Sequence, residues 1–161
     1  MSLLTRRGLA HNGGGQPVPL GVGSWCAGHG ASVITMHRSR LRAVMIDVPG
    51  PDLASSVAFW AEALGRRPNR PAAEARPYLS FLPRDTGIRF TVQRVDDAAR
   101  FHLDIETDDV DAEVRRLEAA GGQVVNRTTD WVVLRDPAGL LLCVIPVDST
   151  DFDEAATSWP D

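Results

Sequence analysis

The chain has 161 residues, a net charge of −4 and 43% hydrophobic residues. This length predicts one domain, because domains usually contain roughly 100–200 residues, and the composition is that of a globular protein. All 17 basic residues are Arg, and they are dispersed along the sequence. We therefore expect no nucleic-acid partner, and the lack of Lys excludes Schiff-base and other lysine-dependent catalysis.

The cysteines and the apolar segments indicate the cellular compartment in which the protein is expected. Cys26 and Cys143 are the two cysteines, too few for a disulfide framework and too far apart for a C-x-x-C motif. The Arg6-Arg7 pair is followed by His11, Asn12 and three glycines instead of the apolar segment of an export signal. No run of 18 apolar residues occurs, which predicts no membrane span. We expect a cytoplasmic protein without a membrane partner.

The sequence divides into three parts. Residues 1–35 contain eight of the 14 glycines and no apolar periodicity, which predicts a flexible N-terminal extension. Residues 36–148 carry the regular patterns of a folded domain. Residues 149–161 are acidic and short, and we expect a mobile C-terminal tail.

The first half of the folded domain reads as a strand, a helix and a hairpin. Residues 41–48 are β-rich, and residues 52–64 carry apolar residues at helical spacing behind Asp52, which is placed to cap the helix. Residues 78–82 and 88–95 then predict two strands joined by a turn-rich connection.

The second half repeats this order. Residues 101–106 predict a strand, residues 109–120 a helix ended by Gly121-Gly122, and three further strands follow at residues 123–126, 131–135 and 140–145. An offset of 57 residues places Asp47 on Asp104 without a gap, and in the hairpins the offset falls to 52. The chain is thus predicted to contain two βαβββ modules, at about residues 38–96 and 100–147.

These modules resemble the vicinal oxygen chelate superfamily, which includes glyoxalase I, extradiol dioxygenases, fosfomycin-resistance proteins and bleomycin-binding proteins. The residues that carry the resemblance are Asp52-Leu53, Phe59-Trp60, Leu64-Gly65, His102-Leu103-Asp104-Ile105, the stretch from Asp108 to Val114, Trp131-Val132-Val133-Leu134 and Asp136-Pro137-Ala138-Gly139. The resemblance implies an α+β fold in which two modules with pseudo-twofold symmetry curl a mixed sheet into a cup, with the helices on the outer face.

The resemblance also implies where a metal would bind, on the first and last strands of each module. His102 matches one such position and Cys143 another, and the two offsets place Met45 and Thr91 at their counterparts. One His and one Cys form a poor set for a divalent metal. We therefore expect no cofactor, with a divalent metal on His102 as the alternative. Asp104 and Asp47 could assist, although each lies two residues along its strand, roughly 6–7 Å away.

Strand alternation predicts the lining of the cup. In residues 101–106 the odd positions are apolar and should pack under the helices, which leaves His102, Asp104 and Glu106 on the concave face. The same alternation adds Arg89, Thr91, Gln93, Trp131, Val133 and Arg135. This lining predicts a pocket for a small polar or cationic organic ligand, because it combines carboxylates, guanidinium groups, an imidazole and an indole.

The candidate catalytic residues are His102 and Asp104, the second as a base or as the group that orients the imidazole. These residues and Cys143 also have purely structural interpretations. His102 can be a hydrogen-bonded strand residue, Asp104 can be the partner of an Arg, and Cys143 can be a small buried side chain. The candidate ligand-binding residues are Met45, Asp47, Arg89, Thr91, Glu106, Trp131, Arg135 and Cys143.

We expect a glyoxalase-like domain that binds a small polar organic molecule in its cup without a complete catalytic metal site, as the resemblance to bleomycin-binding proteins implies. The alternative is a metal-dependent lyase, isomerase or dioxygenase that uses His102. A third hypothesis is a vestigial cup in a dimerisation domain. The expected partners are a small molecule and a second copy of the chain.

Overall fold

The computed structural model describes residues 35–51, 53–71, 77–82 and 87–161. Its elements follow in the order β1 (Met36–Pro49), α1 (Leu53–Leu64), β2 (Tyr78–Ser80), β3 (Arg89–Val95), β4 (Arg100–Thr107), α2 (Val110–Ala119), β5 (Gln123–Arg127), β6 (Val132–Arg135), β7 (Leu141–Pro146), α3 (Phe152–Ala155) and β8 (Thr157–Pro160). The predicted flexible extension, apart from Thr35, and the predicted cap at Asp52 lie outside the described residues. None of the described helices is long and apolar enough to cross a membrane.

The strands form one mixed sheet in the order β2-β3-β1-β4-β7-β6-β5. The first strands of the two modules, β1 and β4, pair antiparallel at its centre, and each pairs in parallel with the last strand of its own module. An isolated bridge between Pro68 and Phe81 stands where the second module has β5. This curled, unclosed sheet confirms the predicted α+β fold.

The register of the central strands confirms the 57-residue offset, because it places Met45 directly opposite its counterpart His102. The last strands differ from the prediction. Asp47 pairs with Gln93, whereas its counterpart Asp104 pairs with Cys143. Cys143 therefore corresponds to Gln93 and not to Thr91. The 52-residue offset was taken from turn glycines, and the two hairpins connect strands of different length.

Each helix covers an apolar cluster on the outer face of its own module. Under α1, Leu53 and Val57 pack with strand residues, and under α2 the cluster is centred on Val114 and Leu134. The Asp109 side chain caps α2 by accepting a hydrogen bond from the backbone N–H of Ala112 at 2.9 Å. These clusters fix each helix on its module and leave the concave face free for polar residues.

The outer face of β4 is less covered than we predicted. Phe101 and Leu103 are 57% and 41% exposed, although alternation predicted both beneath the helices. The reason is that α1 packs mainly on β3 and α2 mainly on β7, β1 and β5, which leaves β4 between them. Trp60 reaches across this gap and meets the Phe101 ring edge-to-face, with 5.8 Å between centroids.

The predicted mobile tail is instead part of the sheet, because β8 pairs antiparallel with residues 36–39 of β1. The Trp159 indole donates to the Ser39 hydroxyl at 2.9 Å, and the Arg116 guanidinium lies 4.0 Å from the centre of the Trp159 ring. His37, only 2% exposed, lies between the carboxylates of Glu113 and Asp161. Specific long-range contacts thus order a segment that has little apolar content of its own.

Candidate functional site

The concave face of the sheet holds two adjoining cavities of about 310 and 190 Å³, which together we call the cup. Met45, Tyr78, Gln93, Asp104 and Ile145 line both cavities. The larger cavity also contains His102, Trp131 and Cys143, and the smaller one also contains Arg89, Thr91 and Asp148. The predicted polar concave face is therefore present, and apolar and aromatic side chains interrupt it.

His102 on β4 is held between two carboxylates. Its Nδ1 lies 2.9 Å from Oδ2 of Asp47 on β1, and its Nε2 lies 3.5 Å from Oδ1 of Asp104. Asp47 is 1% exposed and its Oδ2 also accepts a hydrogen bond from Nε of Arg100 at 3.0 Å. Both carboxylates thus reach the imidazole, although Asp104 and Asp47 lie two strand positions, roughly 6–7 Å, along from His102 and Met45.

The protonation state of His102 follows from this arrangement. Burial alone lowers the pKa of His102, but hydrogen bonds with Asp104, Asp47 and Cys143, together with the charge of Asp47, outweigh burial and raise it to about 11. At neutral pH the cup therefore contains an imidazolium. Such a group can donate a hydrogen bond or a proton, and it can act as a base only after it has lost its proton.

His102, Asp104 and Cys143 also form a set of potential metal ligands. One donor atom from each residue lies within 4.8 Å of the other two. A tetrahedral zinc site with bonds of about 2.0–2.3 Å separates its ligand atoms by about 3.3–3.8 Å. The 3.5 Å between His102 and Asp104 already meets this requirement. The residues fit a divalent metal if the side chains close by about 1 Å and if the imidazole gives up its proton.

Asp47 supports either state of His102. A carboxylate that accepts a hydrogen bond from one imidazole nitrogen fixes the ring and directs the other nitrogen toward a metal or a ligand. Here Nδ1 is held by Asp47, so Nε2 is the nitrogen directed at Asp104. The second oxygen of Asp47 is buried and has no hydrogen-bond partner within the described part of the chain.

Besides Asp47, which is buried beside His102, two predicted ligand-binding residues line neither cavity of the cup. Glu106 is fully buried and accepts hydrogen bonds from Nε of Arg40 at 2.6 Å and from the hydroxyl of Ser149. It therefore anchors the C-terminal segment and has no access to a ligand. Arg135 is exposed at the end of β6 and lines neither cavity. Strand alternation predicts on which face of the sheet these two residues lie. It does not predict which other parts of the chain cover that face at the ends of the strands.

The predicted residues Thr91, Trp131 and Arg89 all line the cup, but their exposure and their hydrogen-bond partners differ. Thr91 is 3% exposed, and its hydroxyl shares a hydrogen bond with that of Ser80 at 2.9 Å. Trp131 is 43% exposed and borders the larger cavity. Arg89 lies in the smaller cavity, where its Nη2 donates to Asp148 at 2.6 Å.

Sequence reasoning did not identify three residues that shape the site. Arg100 follows the same alternation as His102 and could have been found from it. Tyr78 begins β2 and lines both cavities, which no motif indicates. Asp148 is the second residue beyond β7 and lines the smaller cavity, which no motif of the sequence indicates.

A curled mixed sheet of two such modules around a polar cup defines the vicinal oxygen chelate class of proteins. The chain belongs to the glyoxalase-like domain family, whose sequence profile matches residues 27–145. No curated protein matches the sequence.

Two solved structures show the likeness in fold. An NAD-dependent benzaldehyde dehydrogenase from Legionella pneumophila aligns with a TM-score of 0.52 and 17% identity, over 66% of this chain and 98% of that chain. The Mn(II)-bound glyoxalase from Novosphingobium aromaticivorans aligns with a TM-score of 0.50 and 23% identity, over 70% of this chain and 40% of that chain. At these identities the likeness concerns the fold alone.

Proposed function

We propose that the protein binds a small organic molecule in the cup, with a polar group of the ligand against His102 and Asp104. The observation that carries this proposal is an imidazolium–carboxylate pair inside a cavity of about 310 Å³ whose walls include Tyr78 and Trp131. Ligand pockets combine apolar and aromatic walls with a few polar groups in this way. The volume lies near the lower end of the range of roughly 300–1,000 Å³ for such pockets.

The charges define what the polar group can be. The imidazolium of His102 donates a hydrogen bond and the carboxylate of Asp104 accepts one, so a ligand hydroxyl, amide or carbonyl finds a partner here. Asp104 remains 16% exposed, in contrast to the buried Asp47, and is the carboxylate that a ligand meets. The aromatic rings of Tyr78 and Trp131 supply apolar surface beside this pair.

The ligand set His102, Asp104 and Cys143 favours a second candidate, a metal-dependent lyase, isomerase or dioxygenase. A divalent metal bound there would polarise a substrate oxygen. Asp47 would orient His102, and the three donors would come from β4 and β7 of the second module.

The first experiment is elemental analysis of untagged protein before and after dialysis against a weak chelator. Near-stoichiometric metal that survives dialysis and is lost in Cys143→Ser would establish the second candidate. Metal-free, folded protein would instead support binding of an organic molecule without a metal. The homodimer expected from the sequence stays a prediction, which sedimentation equilibrium can test.

A calorimetric screen of small polar compounds then tests the binding proposal directly. We expect hits whose affinity falls at least tenfold in His102→Gln, because a charge-assisted hydrogen bond contributes about 1.5–3 kcal/mol. Arg127→Gln is the matched control, since Arg127 is exposed and pairs with Asp111 away from the cup. If a broad library gives no hit and the protein holds no metal, the vestigial-cup hypothesis replaces both proposals.

A further inference from the structure

Asp148, a carboxylate that lines the smaller cavity, pairs with two arginines, Arg89 of the same cavity and Arg42, which lines neither cavity of the cup. Asp148, the second residue beyond β7, accepts hydrogen bonds from Nε of Arg42 at 2.5 Å and from Nη2 of Arg89 at 2.6 Å. Arg42 stands on β1, and Arg89 stands on β3 opposite Ala43, the next residue of β1. The register of β1 against β4 shifts between Leu41 and Ala43, so Arg42 stands at an irregularity of the strand, and its guanidinium reaches the same carboxylate as that of Arg89.

The carboxylate of Asp148 engages only some of the hydrogen-bond donors of Arg42 and Arg89. Nε of Arg89 is buried and finds no hydrogen-bond partner within the described part of the chain. Within the described residues, Nη1 of Arg42 also donates a long hydrogen bond, 3.4 Å, to the carbonyl oxygen of Gly87. Glu106 lies 3.6 Å from Nε of Arg42 and is held more closely by Arg40, at 2.6 Å. Each guanidinium carries five donors, and the partners found in the described part of the chain engage fewer than ten, which leaves donors for an anion.

Arg89 also lies within reach of the proposed binding site. Arg89 and Asp148 line the smaller cavity, which shares Met45 and Asp104 with the larger one. The register separates Arg89 from His102 by two strand spacings and two residues along the strand, about 12 Å between Cα atoms. A small molecule of ordinary length can therefore contact both ends of the cup.

We propose that Arg42 and Arg89 form a carboxylate-binding subsite of the cup, and that Asp148 occupies this subsite until the carboxylate of a ligand replaces it. The inference rests on the proposed function and narrows the ligand to small organic acids that carry a carboxylate beside a polar group. Guanidinium pairs suit this role because their planar donors match the two oxygens of a carboxylate.

Exchange of Asp148 for a ligand requires little rearrangement. The backbone N–H of Asp148 donates to Glu106 at 3.1 Å, which fixes the main chain. The side chain is 44% exposed, so rotation about its own torsions carries the carboxylate into solvent. The ligand carboxylate then takes over the donors of Arg42 and Arg89 and gains the unused Nε of Arg89.

The test is isothermal titration of the full chain with the α,ω-dicarboxylates from malonate to adipate, each compared with its uncharged diamide. We expect at least one dicarboxylate to bind more tightly than its diamide. Asp148→Asn removes the internal competitor and should tighten that binding several-fold. Arg89→Gln should weaken it at least tenfold, as expected for a charge-assisted hydrogen bond, and Arg89→Lys should restore part of the loss.

Asp111→Asn is the matched control for Asp148→Asn, because it removes an exposed carboxylate paired with Arg127 away from the cup. The subsite is refuted if no dicarboxylate exceeds its diamide in either the wild type or Asp148→Asn, or if Arg89→Gln binds as the wild type does. If Arg89→Gln does not fold, the comparison of Arg89→Lys with Asp148→Asn decides. Neutral hits that depend on His102 but ignore Arg89 and Asp148 would refute the subsite and leave the proposed function standing.

Discussion

The contact between His37 and Asp161 tests whether the C-terminal strand is part of the folded domain. Nδ1 of His37 lies 2.5 Å from Oδ1 of Asp161, and Nε2 lies 2.9 Å from Oε2 of Glu113. Burial alone lowers the pKa of His37, but hydrogen bonds and charge from Glu113 and Asp161 outweigh burial and raise it above its usual value. We therefore expect His37 to keep its proton to a higher pH than a free histidine, and the imidazolium donates to both carboxylates.

Asp161→Asn removes one of these two charged acceptors. His37 is buried, whereas Asp161 is an exposed residue, so solvent screens the contact from the Asp161 side. Because the substitution removes a charged acceptor from the buried His37, we expect the free energy of unfolding at pH 6 to fall by more than it does in the exposed control described below. Urea denaturation followed by circular dichroism measures this difference.

The loss should depend on pH with a definite sign. The pKa of His37 is raised in the folded state, so its contribution is complete below about pH 6.5 and disappears as the pH rises through the folded pKa. The pKa of Asp161 is lowered by the hydrogen bond from His37, so its contribution is lost only as the pH falls below about 4. The effect of Asp161→Asn should thus be largest near pH 5–6 and should decrease as the pH is raised toward 10.

The control is Asp111→Asn, which breaks an exposed pair with Arg127. It should change the free energy of unfolding by no more than about 0.5 kcal/mol at either pH, because surface ion pairs contribute little. An equal loss for Asp161→Asn at pH 6 and pH 10, or no loss at pH 6, would show that the His37 imidazolium does not hold β8 in place.

Three further substitutions test the site and the core. Asp47→Asn should lower the pKa of His102 from about 11, which NMR titration of the imidazole measures. It should also destabilise the fold by roughly 3 kcal/mol, because it breaks a buried pair. An unchanged titration would refute the contact between Asp47 and His102. Leu134→Ala, at a fully buried side chain, should cost about 2–5 kcal/mol in urea denaturation, whereas Leu140→Ala, 67% exposed, should cost less than about 0.5 kcal/mol. Gly121→Ala should cost about 1–2 kcal/mol of thermal stability, since Gly121 has a φ of +100° and its Cβ would lie 3.3 Å from Pro137; a neutral result would contradict this turn.

The fold was predictable from the sequence because its two halves repeat one pattern. The apolar spacing of each helix and the alternation of each strand depend on local geometry, and the 57-residue offset joined them into modules. The register of the last strands was not predictable, since it depends on how each hairpin closes. The order of residues 149–161 was not predictable either, because it depends on contacts of His37 and Trp159 with partners far away in the sequence.

The candidate site was predictable in its elements and not in its contacts. Alternation placed His102, Asp104 and Arg89 on the concave face, and the structure brings all three to the cup. Which of these side chains meet depends on the curl of the sheet. The alternation of residues along a strand does not reveal this curvature. For this reason Glu106 was predicted to bind a ligand, although it lies buried beneath the C-terminal segment.

The pseudo-twofold symmetry explains why one carboxylate of the cup is available and the other is not. Asp47 and Asp104 occupy equivalent positions of the two modules, and they hold opposite nitrogens of the single imidazole between them. Their cross-strand neighbours, which are also equivalent, differ: Arg100 stands opposite Asp47, and Ala43 stands opposite Asp104. The charge of Asp47 is therefore shared with a guanidinium, while Asp104 has His102 as its ion-pair partner within the described residues. The asymmetry at this one pair of positions leaves Asp104 as the carboxylate that a ligand or a metal can claim.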